Sequence, residues 1–411
     1  MCRNLTKLKV SLRIAIVQLN PQIGQVDQTV SRAWELLSKL REKATRAPDI
    51  IVFPEFALTG YNFHTKDEIK PYLSTQDEGV SAQLAKAVSK KFGCFTVIGY
   101  PEQTKTGELY NSALVVNPSG KVVFNYRKSF LYDTDEEWGC RENPVKFQTF
   151  TLPFEAKATD PQGKVRDVDL ITSIGICMDL NPYKFKAPFN SFEFSSFNLD
   201  HSSELIICPM AWLHSSSVTS TTPDREEARG KITRILEEQG LPIHGSQGEF
   251  QVDLGPNNAT TRIASGDEEI DESYTKMDEP DMKNVNYWIL RFLPFLGIGL
   301  RNSWFAEKVL FPLLSRSKLE NSSFLGSSLN RAWSFEDKNA VLVLANRCGV
   351  EEGTTVFAGS SGIYKFNGQC TSNEAALDST NKSVDLLGNL GKGLEGIIMR
   401  DIEFEVEREL D

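Results

Sequence analysis

DLITSIGICMDL, residues 169–180, reads as a buried strand that runs into a sharp turn. Leu170, Ile171, Ile174 and Ile176 give it an apolar, β-branched character. Gly175 stands two residues before Cys177, and Asn181-Pro182 discourages further strand. Cys177 is therefore expected where a central strand ends. A thiol there is held by rigid backbone, and the next N–H groups point into the same space. Nucleophiles beside an oxyanion-binding amide are built in this way. Taken alone, a cysteine at the end of an apolar strand is ordinarily a small buried hydrophobe. The rest of the chain decides between the two.

Upstream, residues 12–19 (LRIAIVQL) read as a strand. Residues 26–43 read as a helix, with Val30, Ala33, Leu36, Leu37 and Leu40 at helical spacing. Strands are expected at 49–53 and 94–99, with a helix at 81–92 between them. Residues 109–117 and 121–127 flank Pro118-Ser119-Gly120 as a hairpin. Downstream, helices are expected at 193–200 and 225–239, strands at 205–209, 340–345, 354–358 and 396–405, and a turn at 365–368. The alternation β-α-β-α-β, hairpin, β-α-β predicts an α/β fold of layered sheets covered by helices.

One region breaks the alternation, at about 257–335. Residues 257–281 are acidic and read as an exposed loop. Residues 286–314 are apolar, but their longest uncharged run, Phe292 to Leu300, is far shorter than the ~20 residues of a spanning helix. A helical insertion packed on a single 1–411 domain is expected, with no stable membrane insertion. A peripheral membrane contact is the alternative.

The formal net charge is −10 and no basic patch stands out, which argues against nucleic acid as a partner. The seven cysteines are odd in number and form no CxxC pair, and the four histidines form no HxxxH or HExxH pattern. Neither disulfides nor a metal are expected. Reduced thiols point to an intracellular compartment. The basic, then apolar, N-terminus is interrupted by Arg13 and lacks a small-residue cleavage site, so a strand is expected there rather than a signal peptide.

Two further strand ends carry charge. Glu55 follows the strand at 49–53, and Lys128 follows the hairpin. Singly, such residues are ordinarily caps or snorkelling side chains. Three strand ends bearing Glu, Lys and Cys are where an α/β fold assembles a site. The surrounding motifs are PEFALTGY (54–61), YNSALVVNPSGKVVFNYRK (110–128), GICMDL (175–180), PMAW (209–212), NRCGVEEGTTVFAGSSGIY (346–364) and GLEGIIMRDIEFE (393–405). Together they resemble the nitrilase superfamily of carbon–nitrogen hydrolases along nearly the whole chain.

The resemblance implies a single-domain, four-layer α-β-β-α sandwich and a cofactor-free catalytic set of Glu55, Lys128 and Cys177. Cys177 would attack an amide carbon, with Glu55 moving the protons. Lys128 would lower the thiol pKa and, with the Met178 N–H, hold the oxyanion. A second acid near the lysine is expected at Glu142, with Glu136 or Glu137 in reserve.

Within the superfamily, residues 20–29, 129–139, 179–197, 278–282 and 284–292 resemble the branch that deamidates asparagine or glutamine at a protein's N-terminus. The product acid then receives arginine and marks the protein for degradation. This implies protein or peptide substrates with N-terminal Asn or Gln and a cytoplasmic monomer or homodimer. Small-molecule ω-amidases, nitrilases and carbamoylases with the same Glu-Lys-Cys set are the alternative. A cationic α-amino group needs an acidic partner, for which Asp133, Asp135 and Asp179 are candidates. Trp138 and Trp212 are candidate pocket walls, although ordinary core packing is the commoner use of tryptophan.

Overall fold

The computed structural model describes residues 5–219, 222–238, 250–255, 274–298, 333–370 and 376–409. Its first strand shows why the layers form. In β1 (Leu5–Gln18) successive side chains point to opposite faces. Ile14 and Ile16 enter one apolar core, whereas Ala15 and Val17 enter another. Both faces must therefore be covered. The helices α1 (Val26–Lys43) and α3 (Val80–Phe92) cover one of them. They contribute Ala33, Leu36, Leu37 and Leu40, and Ala82, Ala85 and Val88. Between them lie β2 (Ile50–Val52) and the short α2 (Lys66–Ile69). After α3 come β3 (Phe95–Gln103), β4 (Leu109–Val116) and β5 (Val122–Arg127).

The second half follows α4 (Asp133–Glu137). It comprises β6 (Thr149–Thr159), β7 (Val165–Ile174), α5 (Glu193–Asp200), β8 (Leu205–Met210), α6 (Arg225–Glu238), β9 (Gln251–Asp253) and α7 (Met282–Leu290). Then come β10 (Ala340–Asn346), the small β11 (Val350–Glu351) and β12 (Thr355–Val356), β13 (Gly362–Phe366), β14 (Val384–Asn389) and β15 (Gly396–Glu409).

Among the described residues the strands hydrogen-bond in the order β14-β13-β10-β8-β7-β6-β1-β2-β3-β4-β5, with β15 also on β1. Each half has parallel strands inside (β1, β2, β3 and β7, β8, β10) and antiparallel strands outside. The halves join at β6, which pairs β1 only through Lys9 with Thr159 and Val10 with Ala158. A register shift between Phe154 and Ala158 bends β6 at this corner. The two half-sheets stack, with Ile14, Ile16, Val52, Val97 and Val115 of one sharing a core with Leu170, Ile174, Ile207 and Val343 of the other. Phe194 of α5 and Val285, Trp288 and Ile289 of α7 join that core from the second half. The layers are thus α1/α3, sheet, sheet and α5/α7, the α-β-β-α sandwich expected.

The structure adds a strand that was not expected, β6, and changes two local expectations. β6 carries Pro153, which lowers strand propensity, yet tertiary pairing with β7 makes it a strand. The strand expected at 354–358 shrinks to the two residues of β12. Lys365 and Phe366 still belong to β13, so the turn begins after them. Residues 257–273 of the acidic stretch and 299–314 of the apolar one lie outside the described residues. The described part, α7 and the 3-10 turn at Leu293–Phe295, is core. No helix among the described residues is long and apolar enough to cross a membrane.

Candidate active site

Three strand ends converge, each held by a specific backbone device. After β2 the chain stays on β3: the Gly99 N–H donates to Pro54 O (3.1 Å) and the Ala57 N–H to Gly99 O (3.1 Å). Glu55 lies against Gly99, where a Cβ would stand 2.5 Å from the Glu55 Cα. Only glycine permits that approach. Lys128 follows β5 directly, and its N–H donates to Asn111 O of β4 (2.8 Å). Cys177 stands three residues beyond β7 with φ +42°, a left-handed conformation that costs a non-glycine residue about 1–3 kcal/mol.

Asp179 holds that strained turn. Its Oδ2 accepts from the Ile176 N–H (2.8 Å) and the Tyr126 hydroxyl (2.9 Å). Its Oδ1 accepts from the Ser129 (3.0 Å) and Phe130 (2.8 Å) N–H groups. The carboxylate thus ties the nucleophile turn to the segment that carries Lys128. Burial pushes its pKa up to about 7 against the pull of these donors. Asp179→Asn replaces an acceptor oxygen with a donor and leaves two buried donors unpaired. A stability loss of about 2–6 kcal/mol is expected in urea unfolding, with activity falling alongside.

Glu55, Lys128 and Asp135 are fully buried, and Cys177 is 8% exposed. Lys128 Nζ donates to Glu55 Oε1 (2.7 Å) and Asp135 Oδ2 (2.6 Å). Asn111 Nδ2 bridges the same two acids. Glu55 Oε2 accepts from the Ala211 N–H (2.7 Å), and that N–H also faces the Cys177 sulfur. Burial, then the Glu55 charge, push the Cys177 thiol well above its ordinary range, and Lys128 pulls it back only in part. Lys128 thus acts on the thiol in the expected direction, and burial together with Glu55 outweighs it. Burial pushes Glu55 up against Lys128, its main counterweight. Burial alone would pull Lys128 down, but Asp135 and Glu55 outweigh it and hold the amine firmly charged. A neutral thiol beside a buried carboxylate suits proton transfer coupled to attack.

The second acid on the lysine is Asp135, not Glu142, Glu136 or Glu137. Glu142 accepts from the Tyr183 hydroxyl (2.8 Å), Glu136 pairs with Lys184 (3.4 Å) and Glu137 faces His64 (3.2 Å). Asp135 and Asp179 are committed to protein donors and are not open to an incoming ammonium. Asp133 is exposed and lines a neighbouring cavity of about 390 Å³. Trp138 is core, packed against Phe56 with centroids 6.0 Å apart, and is no pocket wall. Trp212 is one.

The cavity over Cys177 measures about 310 Å³ and is walled by Tyr61, Tyr132, Met178, Asn181, Phe185, Ala211, Trp212, Leu213, Asn284 and Tyr287. Tyr61, Tyr132 and Leu213 also border the neighbouring cavity. The α7 insertion braces this wall. Tyr287 donates to Asn181 Oδ1 (2.6 Å), Trp212 Nε1 to Asn284 Oδ1 (2.9 Å), and Arg291 Nε to Leu180 O (2.7 Å). Of these residues, Asn111 lay within the YNS motif and Tyr61 within PEFALTGY, so both were adjacent to recognised signals. Asn181, Asn284 and Tyr287 lay within the stretches 179–197 and 284–292, but their place in the cavity wall was not legible, because only the fold brings α7 to the turn of Cys177.

Residues 13–181 match the family model for carbon–nitrogen hydrolases. The chain is 52% identical to a protein N-terminal amidase of Saccharomyces cerevisiae, over 98% of this chain and 97% of that one. A second protein N-terminal amidase, from Schizosaccharomyces pombe, is 34% identical over 54% of this chain and 79% of its own. A crystal structure of an N-terminal amidase with an Asn-Glu peptide superposes with a TM-score of 0.89 at 53% identity, covering 98% of this chain and all of that one. Another, with a Gln-Gly peptide, matches at the same TM-score of 0.89 and 54% identity. Similar to these proteins along nearly its whole length, the chain belongs to the carbon–nitrogen hydrolase family.

Proposed function

We propose that this chain deamidates asparagine and glutamine at the N-terminus of proteins or peptides, leaving aspartate or glutamate and ammonia. The observation that carries the reading is Cys177 on a cavity of about 310 Å³ with the buried Glu55–Lys128 pair behind it, in a chain similar along its length to protein N-terminal amidases.

The groups present balance each step. Glu55 takes the Cys177 proton as the sulfur attacks the side-chain carboxamide carbon. The oxyanion is held by Lys128 Nζ and the Met178 N–H. Collapse breaks the C–N bond, and Glu55 returns the proton to the leaving ammonia. Water, deprotonated by Glu55, then attacks the thioester; the C–S bond breaks, the acid leaves, and Glu55 returns the proton to the Cys177 sulfur. No cofactor enters this scheme. Asn and Gln differ by one methylene, worth only ~1–3 kcal/mol of discrimination, so both are substrates. The reading extends to a cytoplasmic monomer or homodimer whose product feeds arginylation-dependent degradation, in keeping with the free thiols among the described residues.

Mass spectrometry of an Asn-initiated peptide tests the reading. A gain of about one mass unit is expected, the amide-to-acid change of this chemistry. Faster turnover of free glutamine or a nitrile would favour the small-molecule alternative.

A further inference from the structure

Asn111 lies on β4, fully buried, and none of the chemistry above uses it. Its Nδ2 donates to Glu55 Oε1 (2.6 Å) and to Asp135 Oδ1 (2.9 Å). Lys128 Nζ spans the same two acids, at Glu55 Oε1 (2.7 Å) and Asp135 Oδ2 (2.6 Å). Two carboxylates are thus joined by two bridges, one charged and one neutral. A primary amide has two N–H bonds on one nitrogen, one for each acid. Turned over, it would aim its oxygen at acceptors, so the acids themselves fix its orientation. The consequence falls on Glu55. Its Oε1 is taken by Asn111 and Lys128, which leaves Oε2, beside the Ala211 N–H and Cys177, to exchange the proton.

We propose that Asn111 is a positioning residue that holds Glu55 as an anion with Oε2 turned toward Cys177, and thereby sets the pH at which the thiol–carboxylate pair becomes reactive. The inference rests on Glu55 being the proton acceptor. The other titratable groups near Glu55 are Lys128, Asp135 of α4, Cys177, Cys140 and the phenol of Tyr61. Lys128 favours the Glu55 anion and Asp135 disfavours it. Asn111 adds to the lysine's side of that balance. Without it, burial and Asp135 drive Glu55 further up, and the pair needs a higher pH to react.

The test uses Asn111→Leu, which keeps the branched shape and removes both donors, and Asn111→Ser, which leaves a single, shorter donor. Two profiles are read against pH: alkylation of Cys177 by iodoacetamide, and kcat/KM for an Asn-initiated peptide. One hydrogen bond to a charged acceptor corresponds to about one pH unit. The acid limb of both profiles is expected to move up by about that much in the leucine variant, and by less in the serine variant. Uniformly lower rates with an unmoved acid limb, in a variant folded by circular dichroism, would make Asn111 a packing residue only. Should the leucine variant fail to fold, the serine variant carries the same readout. Alkylation displaces iodide from the CH2 of the reagent and does not require its amide to be hydrolysed. A shifted alkylation profile without peptide deamidation would therefore overturn the substrate reading and leave this inference standing.

Discussion

Cys177→Ser is expected to lower turnover at least ~10⁴-fold while leaving the fold in place. The two side chains are close in size, and the turn that holds them at φ +42° is fixed by Asp179 rather than by the sulfur. The chemistry changes far more than the shape. The resting thiol already sits well above its ordinary range because it is buried beside Glu55. A hydroxyl in that place is much harder still to deprotonate, and Glu55 is too weak a base to do it alone. Circular dichroism and the melting temperature should match the parent protein. Appreciable deamidation by the folded variant would remove Cys177 from its role.

Lys128→Met has the next largest expected effect, a fall in kcat of at least ~100-fold, the scale set by losing one oxyanion donor. The structure adds a second consequence. Lys128 is the cation between two fully buried carboxylates, Glu55 and Asp135. Removing it leaves that pair uncompensated, at ~3–5 kcal/mol of stability, and one acid then takes up a proton. A protonated Glu55 cannot accept the thiol proton, so the residual activity should appear only at higher pH. Stopped-flow turnover across pH, with urea unfolding alongside, separates the two effects. A variant of lower stability whose kcat is unchanged would show that the lysine serves the fold and not the oxyanion.

The three strand ends that bear Glu55, Lys128 and Cys177 were legible because each is local. DIIVF runs into Pro54-Glu55, the hairpin runs into Lys128, and SIGIC ends in a turn before Pro182. A strand, its end and a charged or nucleophilic side chain can be read within ten residues. The second acid was not legible in this way. Four acids follow Lys128 within ten residues, and only the turn of α4 decides that Asp135 reaches the amine while Glu136 and Glu137 point outward. The preferred Glu142 lies beyond that helix and meets Tyr183 instead.

Trp138 illustrates the opposite error. It is next to the acids in sequence, but α4 turns it inward against Phe56. The role of α7 was hidden for a third reason. Its contacts with Asn181 and Leu180 cross more than a hundred residues, and nothing in an apolar stretch says which strand end it will brace.

The most direct test of the N-terminal reading compares an Asn-initiated peptide with its N-acetylated form in the same mass assay. Acetylation removes the α-ammonium charge, a loss of ~1.5 kcal/mol or more where that charge is hydrogen-bonded. It also adds bulk inside a cavity of about 310 Å³, at ~1 kcal/mol or more. Together these predict a fall in kcat/KM of at least ~50-fold, with the free peptide gaining about one mass unit. Equal turnover of the two peptides would contradict the account and identify a general amidase.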